Sequence, residues 1–274
     1  MVRRLFDVRP LIIDDKNYSS DLEKRSDERK KFSHSKFTPW KMKIAIMQPY
    51  IFPYIGYFQL INAVEMFVVH DDVQYIQRGW INRNRILMNE KDLLFTLPVR
   101  KAAVETPINE IFFAEGIQKE KAKILSQIQN SYRKAPYFRE VFLLIEQILK
   151  DSEENISVYT TNQLQQICAF LEIKTPFVLS SDLAKNNNLK GEERVIEINK
   201  VLNATHYINP IGGVELYHQK HFEEANLKLN FIKTRSTKYA QFGNEFIPFL
   251  SIIDVMMFNS VAEIKVLLND FDLV

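Results

Sequence analysis

The chain has 274 residues, 46% of them apolar, enough to bury a substantial core in one large domain or two small ones. Lys+Arg 36 against Asp+Glu 34 gives a formal charge of +2, which excludes the broad basic footprint of a nucleic-acid binder. A lone cysteine, Cys168, excludes an internal disulfide, and no run approaches the about 18–20 uninterrupted apolar residues of a membrane span. No apolar stretch of a signal peptide follows Arg3, Arg4 and Arg9. The expectation is a cytoplasmic protein with no membrane span and no nucleic-acid partner.

Residues 1–41 differ from the rest. Asp21 to Lys36 alternates acids, bases and serines with almost nothing apolar, so ordering it gains too little burial. Residues 1–41 are therefore expected to be a disordered extension, with Met42 a candidate natural initiator. Residues 42–274 alternate strand and helix, the pattern of an α/β domain built on a mainly parallel, Rossmann-like sheet with flanking helices. A strand over 43–47 leads through a Pro-rich loop into a helix over about 55–64. A strand at 67–70 ends in a polar run, and 93–99 is a third strand. Residues 118–149 are helical with a break at Pro136, and 155–171 form another helix, so a helical lobe inserted between the sheet halves is expected. A short strand at 177–179, a helix at 192–202, a strand at 206–209, a helix near 215–225 and a strand at 227–233 follow. The last helix begins near Pro248, with Ser251 to Asp254 in its first turns.

The chain holds only seven glycines, and Gly56, Gly79, Gly191, Gly212 and Gly213 all fall where a strand or helix end meets a loop. Open α/β sheets place ligands at such ends, and glycine there lets backbone approach a ligand closely. The richest segment runs from Gln48 through Tyr50, Tyr54, Gly56 and Tyr57 to Gln59. Tyr54 and Tyr57, spaced i, i+3, share a face at a helix start that favours anions, unless they belong to the helix's apolar stripe. Next comes Asp71-Asp72-Val73-Gln74, then Arg78-Gly79-Trp80-Ile81-Asn82-Arg83-Asn84-Arg85. Carboxylates at a strand end can act as a base or orient a hydroxyl, Asp72 being preferred, and Arg83 and Arg85 offer paired donors to phosphate or carboxylate. The alternative is a solvated loop with local ion pairs. His218 and His221 carry metal-ligand spacing without a third ligand beside them, so no metal is expected. The basic loop 233–238 could reach a phosphate. Cys168, in an apolar stretch, is a buried thiol rather than a nucleophile. Walker, GxGxxG, zinc-finger and nucleophile-elbow motifs are absent from the sequence.

Several of these segments together resemble the WbqC-like family of bacterial surface-polysaccharide gene clusters. The matching stretches are Met42 to Tyr50, Gly56 to Ile61, Asp71 to Tyr75, Arg78 to Asn84, Lys134 to Phe138 and Ser251 to Asp254, spread over 42–274. The resemblance implies an enzyme of O-antigen-type polysaccharide biosynthesis, a transferase that acylates or aminoacylates a nucleotide-linked amino sugar. Its small-molecule substrate would be a nucleotide sugar or an acyl donor. Tyr57 and Asp72 would be catalytic. Gln48, Tyr50, Tyr54, Gly56, Asp71, Gln74, Arg78, Asn82, Arg83, Asn84, Arg85, Gly212 and Gly213 would bind substrate. More distantly, the strand, Pro-containing loop and Tyr54-Ile55-Gly56-Tyr57 resemble the HxGH site of HIGH-type nucleotidyltransferases and adenylate-forming ligases, which implies ATP with magnesium. Both histidines of that pattern are tyrosines here, and a neutral phenol cannot supply imidazolium charge. A non-catalytic sugar-nucleotide-binding or assembly protein is the alternative from a different class.

Overall fold

A computed structural model describes residues 42–235, 238–243 and 245–274; the expected N-terminal extension lies outside them. The first strand, β1 (Lys43–Met47), passes through the Pro-rich loop into helix α1 (Ile55–Asn62) and returns as β2 (Met66–Val69). An insertion follows before the sheet resumes. It contains a hairpin, β3 (Arg83–Met88) and β4 (Lys91–Thr96), and helices α2 (Ile117–Tyr132), α3 (Phe138–Leu149) and α4 (Ile156–Phe170). The sheet continues with β5 (Phe177–Leu179), helix α5 (Gly191–Val201), β6 (His206–Pro210), helix α6 (Gln219–Glu224) and β7 (Lys228–Thr234). Helices α7 (Ile252–Phe258) and α8 (Val261–Leu267) lead to β8 (Phe271–Leu273).

The strand order is β5-β2-β1-β6-β7-β8, parallel throughout except for the antiparallel β8. Apolar residues alternate faces along each strand and both faces are covered, which is why β1 and β2 read as unbroken apolar runs. Ala45, Phe67, Val69, Ile208 and Ile232 face α1 and the inserted helices. Ile44, Ile46, Met66, Val68, Tyr207, Leu229 and Phe231 face α5 and α6. Helices thus cover both faces, and Met42–Val274 form one compact unit.

The Rossmann-like sheet and the helical insertion are as expected. Pro136 separates α2 from α3 because proline cannot continue the hydrogen-bond ladder. Three differences stand out. Arg83 to Arg85, the end of the expected polar run, begin a strand over Arg83–Met88 of a separate two-stranded sheet, its side chains buried or half buried. The helix expected near 215 starts at Gln219, after a 3₁₀ segment over Ile211–Leu216. The helix expected to be the last starts at Ile252, capped by the Ser251 side chain, ends at Phe258 and is followed by α8, and β8 had no signal beyond three residues. Among the described residues no helix is long and apolar enough to cross a membrane.

Candidate functional site

The chain adds β2 and β5 on one side of β1, then β6, β7 and β8 on the other, so the order reverses between β1 and β6. In doubly wound sheets ligands occupy the crevice outside the carboxyl ends of the strands at such a reversal. The candidate residues are distributed around the segments that leave these strand ends.

After β2, His70 continues the period of Met66 and Val68 and so turns toward α5. Asp72 Oδ2 lies 2.6 Å from Lys185 Nζ and 2.6 Å from Arg194 Nη2. Arg194 also donates to the Asp72 carbonyl at 3.2 Å, and Lys185 donates to the Ser180 carbonyl. The two cations are nearly out of water, with side chains 1% and 10% exposed. Burial pulls the Asp72 pKa upward, but the hydrogen bond from Lys185 and the two positive charges outweigh it, and the net shift is down. Asp71, also buried, accepts from the Ser181 amide at 3.0 Å and hydroxyl at 2.6 Å; burial dominates there and raises its pKa. Burial depresses His70 to about 4, with Asp72 opposing and Arg194 and Lys185 reinforcing the shift, so the imidazole is neutral at pH 7. His70 Nε2 and Arg194 Nε are enclosed without a hydrogen-bond partner among the described residues.

Beyond this cluster the chain enters a cleft of about 310 Å³, walled in part by Tyr75, Arg78, Asn82, Arg83, Arg100 and Lys101. Its wall contains no carboxylate. Arg100 pairs with Glu154 outside the wall at 2.7 Å, in an exposed ion pair. Trp80, 41% exposed, has the Arg83 and Arg85 guanidinium groups 5.5 and 5.1 Å from its ring.

Most of the other expected residues bond or pack against the protein itself. Tyr57 is buried in the core on the α1 face, its hydroxyl donating to the Gln48 carbonyl at 2.8 Å. Asp72 pairs with α5 on the opposite face, so Tyr57 and Asp72 do not share a surface. Tyr50 packs on Tyr57 and donates to the Gln48 side chain at 3.4 Å. Tyr54 immediately precedes α1, and a Cβ at Gly56 would stand 2.4 Å from its ring and 2.6 Å from the Thr234 hydroxyl. Gln74 bonds the Val104 carbonyl and Asn82 the Leu97 carbonyl. Asn84 donates to the carbonyls of Ile51 and Phe52, and Arg85 pairs with Asp92 at 3.2 Å. Gly212 and Gly213 follow β6, where a Cβ at Gly213 would lie 2.0 Å from the Asn209 amide nitrogen.

Sequence reading missed Lys185, Arg194, Arg100, Lys101 and Asn209, since single polar residues in loops and helices carry no local signature. It also missed Glu192 of α5, which meets His218 and His221 and makes a third donor where none was expected. In the loop 233–238, Ser236 and Thr237 lie outside the described residues.

The pattern of the WbqC-like protein family matches residues 48–266. An uncharacterised protein of Mycobacterium tuberculosis, Rv1507c, is 30% identical over 224 residues, covering 81% of this chain and 95% of the relative. No solved structure matches the chain. The chain belongs to the WbqC-like protein family.

Proposed function

We propose that the protein is an enzyme of surface-polysaccharide biosynthesis that transfers an acyl or aminoacyl group to the amine of a nucleotide-linked sugar. The observation that carries this reading is the cleft, in which Arg78, Arg83, Arg100 and Lys101 line a wall free of carboxylates. Its volume is at the lower end of the about 300–1,000 Å³ of ligand pockets. Guanidinium forks suit the adjacent phosphates of a nucleoside diphosphate.

Asp72 is three residues from Tyr75 in the cleft wall, so their Cα atoms are at most about 11 Å apart. We place the acceptor sugar of the bound nucleotide between the cleft and the Asp72–Lys185–Arg194 cluster. In that arrangement Asp72, held ionised, orients Arg194, and the guanidinium stabilises the oxyanion formed as the sugar amine attacks the acyl carbonyl; its collapse breaks the bond to the donor's thiol or hydroxyl group, which leaves carrying the proton lost by the amine. The Tyr57 hydroxyl donates to the Gln48 carbonyl and so is not available to donate to an ATP phosphate at the start of α1.

The test is mass-spectrometric detection of acylated product from nucleoside-diphosphate amino sugars offered with thioester and aminoacyl donors. A mass gain on the sugar, reduced about tenfold or more in kcat/KM by Arg83→Ala, supports the reading. Binding of the nucleotide sugar without turnover by any donor supports the non-catalytic alternative instead.

A further inference from the structure

We propose that Glu192, His218 and His221 form a binding site for a divalent transition-metal ion of the zinc class, beside the crevice at the sheet's reversal. Glu192 lies in the first turn of α5, His218 immediately precedes α6, and His221 lies within it. One potential ligand atom from each residue falls within 4.8 Å of the others. Glu192 Oε2 is 2.6 Å from His221 Nδ1 and 3.4 Å from His218 Nδ1, and the ring centroids are 5.0 Å apart. Tetrahedral zinc with bonds of about 2.0–2.1 Å separates its ligand atoms by about 3.4 Å. Seating an ion thus requires only small movements of the rings, which are 71% and 53% exposed and free to make them.

The carboxylate is the fixed member. Its side chain is 15% exposed, and its other oxygen accepts from the His218 backbone amide. Two imidazoles and one carboxylate suit zinc, copper or nickel better than magnesium or calcium. Three protein ligands leave a coordination position for water or an anionic oxygen, the arrangement of catalytic rather than structural zinc sites. Glu192 is two residues from Arg194, which holds Asp72, and His218 adjoins Tyr217, whose hydroxyl meets that of Tyr207 at 3.4 Å. The metal site stands independently of the transferase reading.

Chelator-stripped full-length protein would be titrated calorimetrically with Zn²⁺ alone, and with Co²⁺ followed by visible absorption. We expect one equivalent of either metal to bind, with a ligand-field band for cobalt. Zn²⁺ affinity should fall at least about tenfold in His221→Ala and in Glu192→Gln. It should be unchanged in Lys220→Ala on the same short helix. Glu192→Gln preserves shape and serves as the deciding variant if His221→Ala fails to fold. Failure of the parent to take up Zn²⁺, or equal affinity in the parent and Glu192→Gln, would overturn the site.

Discussion

His70 and Asp72 stand two residues apart in one loop, and burial acts on them with opposite results. Burial holds the imidazole neutral down to about pH 4, whereas two buried cations keep the carboxylate ionised despite burial. Because the folded His70 pKa lies below the unfolded value of 6.5, the unfolded chain binds the extra proton between these values. Stability from this residue is therefore complete above about pH 6.5 and is lost as pH falls toward 4, by about 3 kcal/mol. Urea unfolding at several pH values should show that slope in the parent and its reduction in His70→Gln; equal slopes would remove His70 as its source. Asp72→Asn leaves Lys185 and Arg194 without their counter-charge, and should cost about 3–5 kcal/mol in the same measurement at pH 7. A loss below 1 kcal/mol would show that the cations find other partners, an outcome at odds with side chains only 1% and 10% exposed.

At the scale of elements, the turn at 51–53 ties together two of the segments that carry the family resemblance, 78–84 and 251–254. Ile51 donates to the Ile81 carbonyl, Asn84 bonds Ile51 and Phe52, the Ser251 hydroxyl bonds Phe52, and the Ile252 amide bonds Pro53. Phe52 sits at φ 40, a left-handed conformation that needs such restraint. Asn84→Ala would leave the Ile51 carbonyl without its donor while Phe52 keeps Ser251, a loss of about 1–3 kcal/mol by chemical denaturation. Gly56→Ala should cost a similar amount, about 1–3 kcal/mol, because its methyl meets the Tyr54 ring and Thr234. Asp254 plays a comparable part, accepting from Tyr132, Tyr239 and Gln241 while buried. These contacts explain why the motif positions were visible in the sequence but their roles were not. An asparagine that braces a turn and one that holds a ligand are the same letter, and only the backbone carbonyls opposite Asn84 distinguish them. The 83–88 strand was hidden for a related reason: Arg83 serves the cleft and Asn84 the turn, so its polar positions do not mark one solvent face.

For the whole molecule, most of the order of strands and helices was legible because both faces of the sheet are buried, making β1 and β2 apolar runs between helices. Gln48 and the Gly212-Gly213 pair were legible as strand-end positions, but the strand order that makes the end of β1 the reversal point was not. The cationic cleft was half legible. Arg78, Asn82 and Arg83 stand in one continuous run, but Arg100 and Lys101 come from the far side of the hairpin and join them only when β3 pairs with β4. Lys185 and Arg194 reach Asp72 from more than a hundred residues away, beyond any local pattern. The proposal that this cleft holds the diphosphate of a nucleotide sugar is tested most directly by calorimetric titration with a nucleoside-diphosphate amino sugar. Parent and Lys119→Ala, a change on an exposed helical surface, should bind equally. The Arg83→Ala/Lys101→Ala double variant should bind at least about tenfold more weakly, about 1.4 kcal/mol. Equal binding by the double variant, or no binding by the parent, would contradict the account.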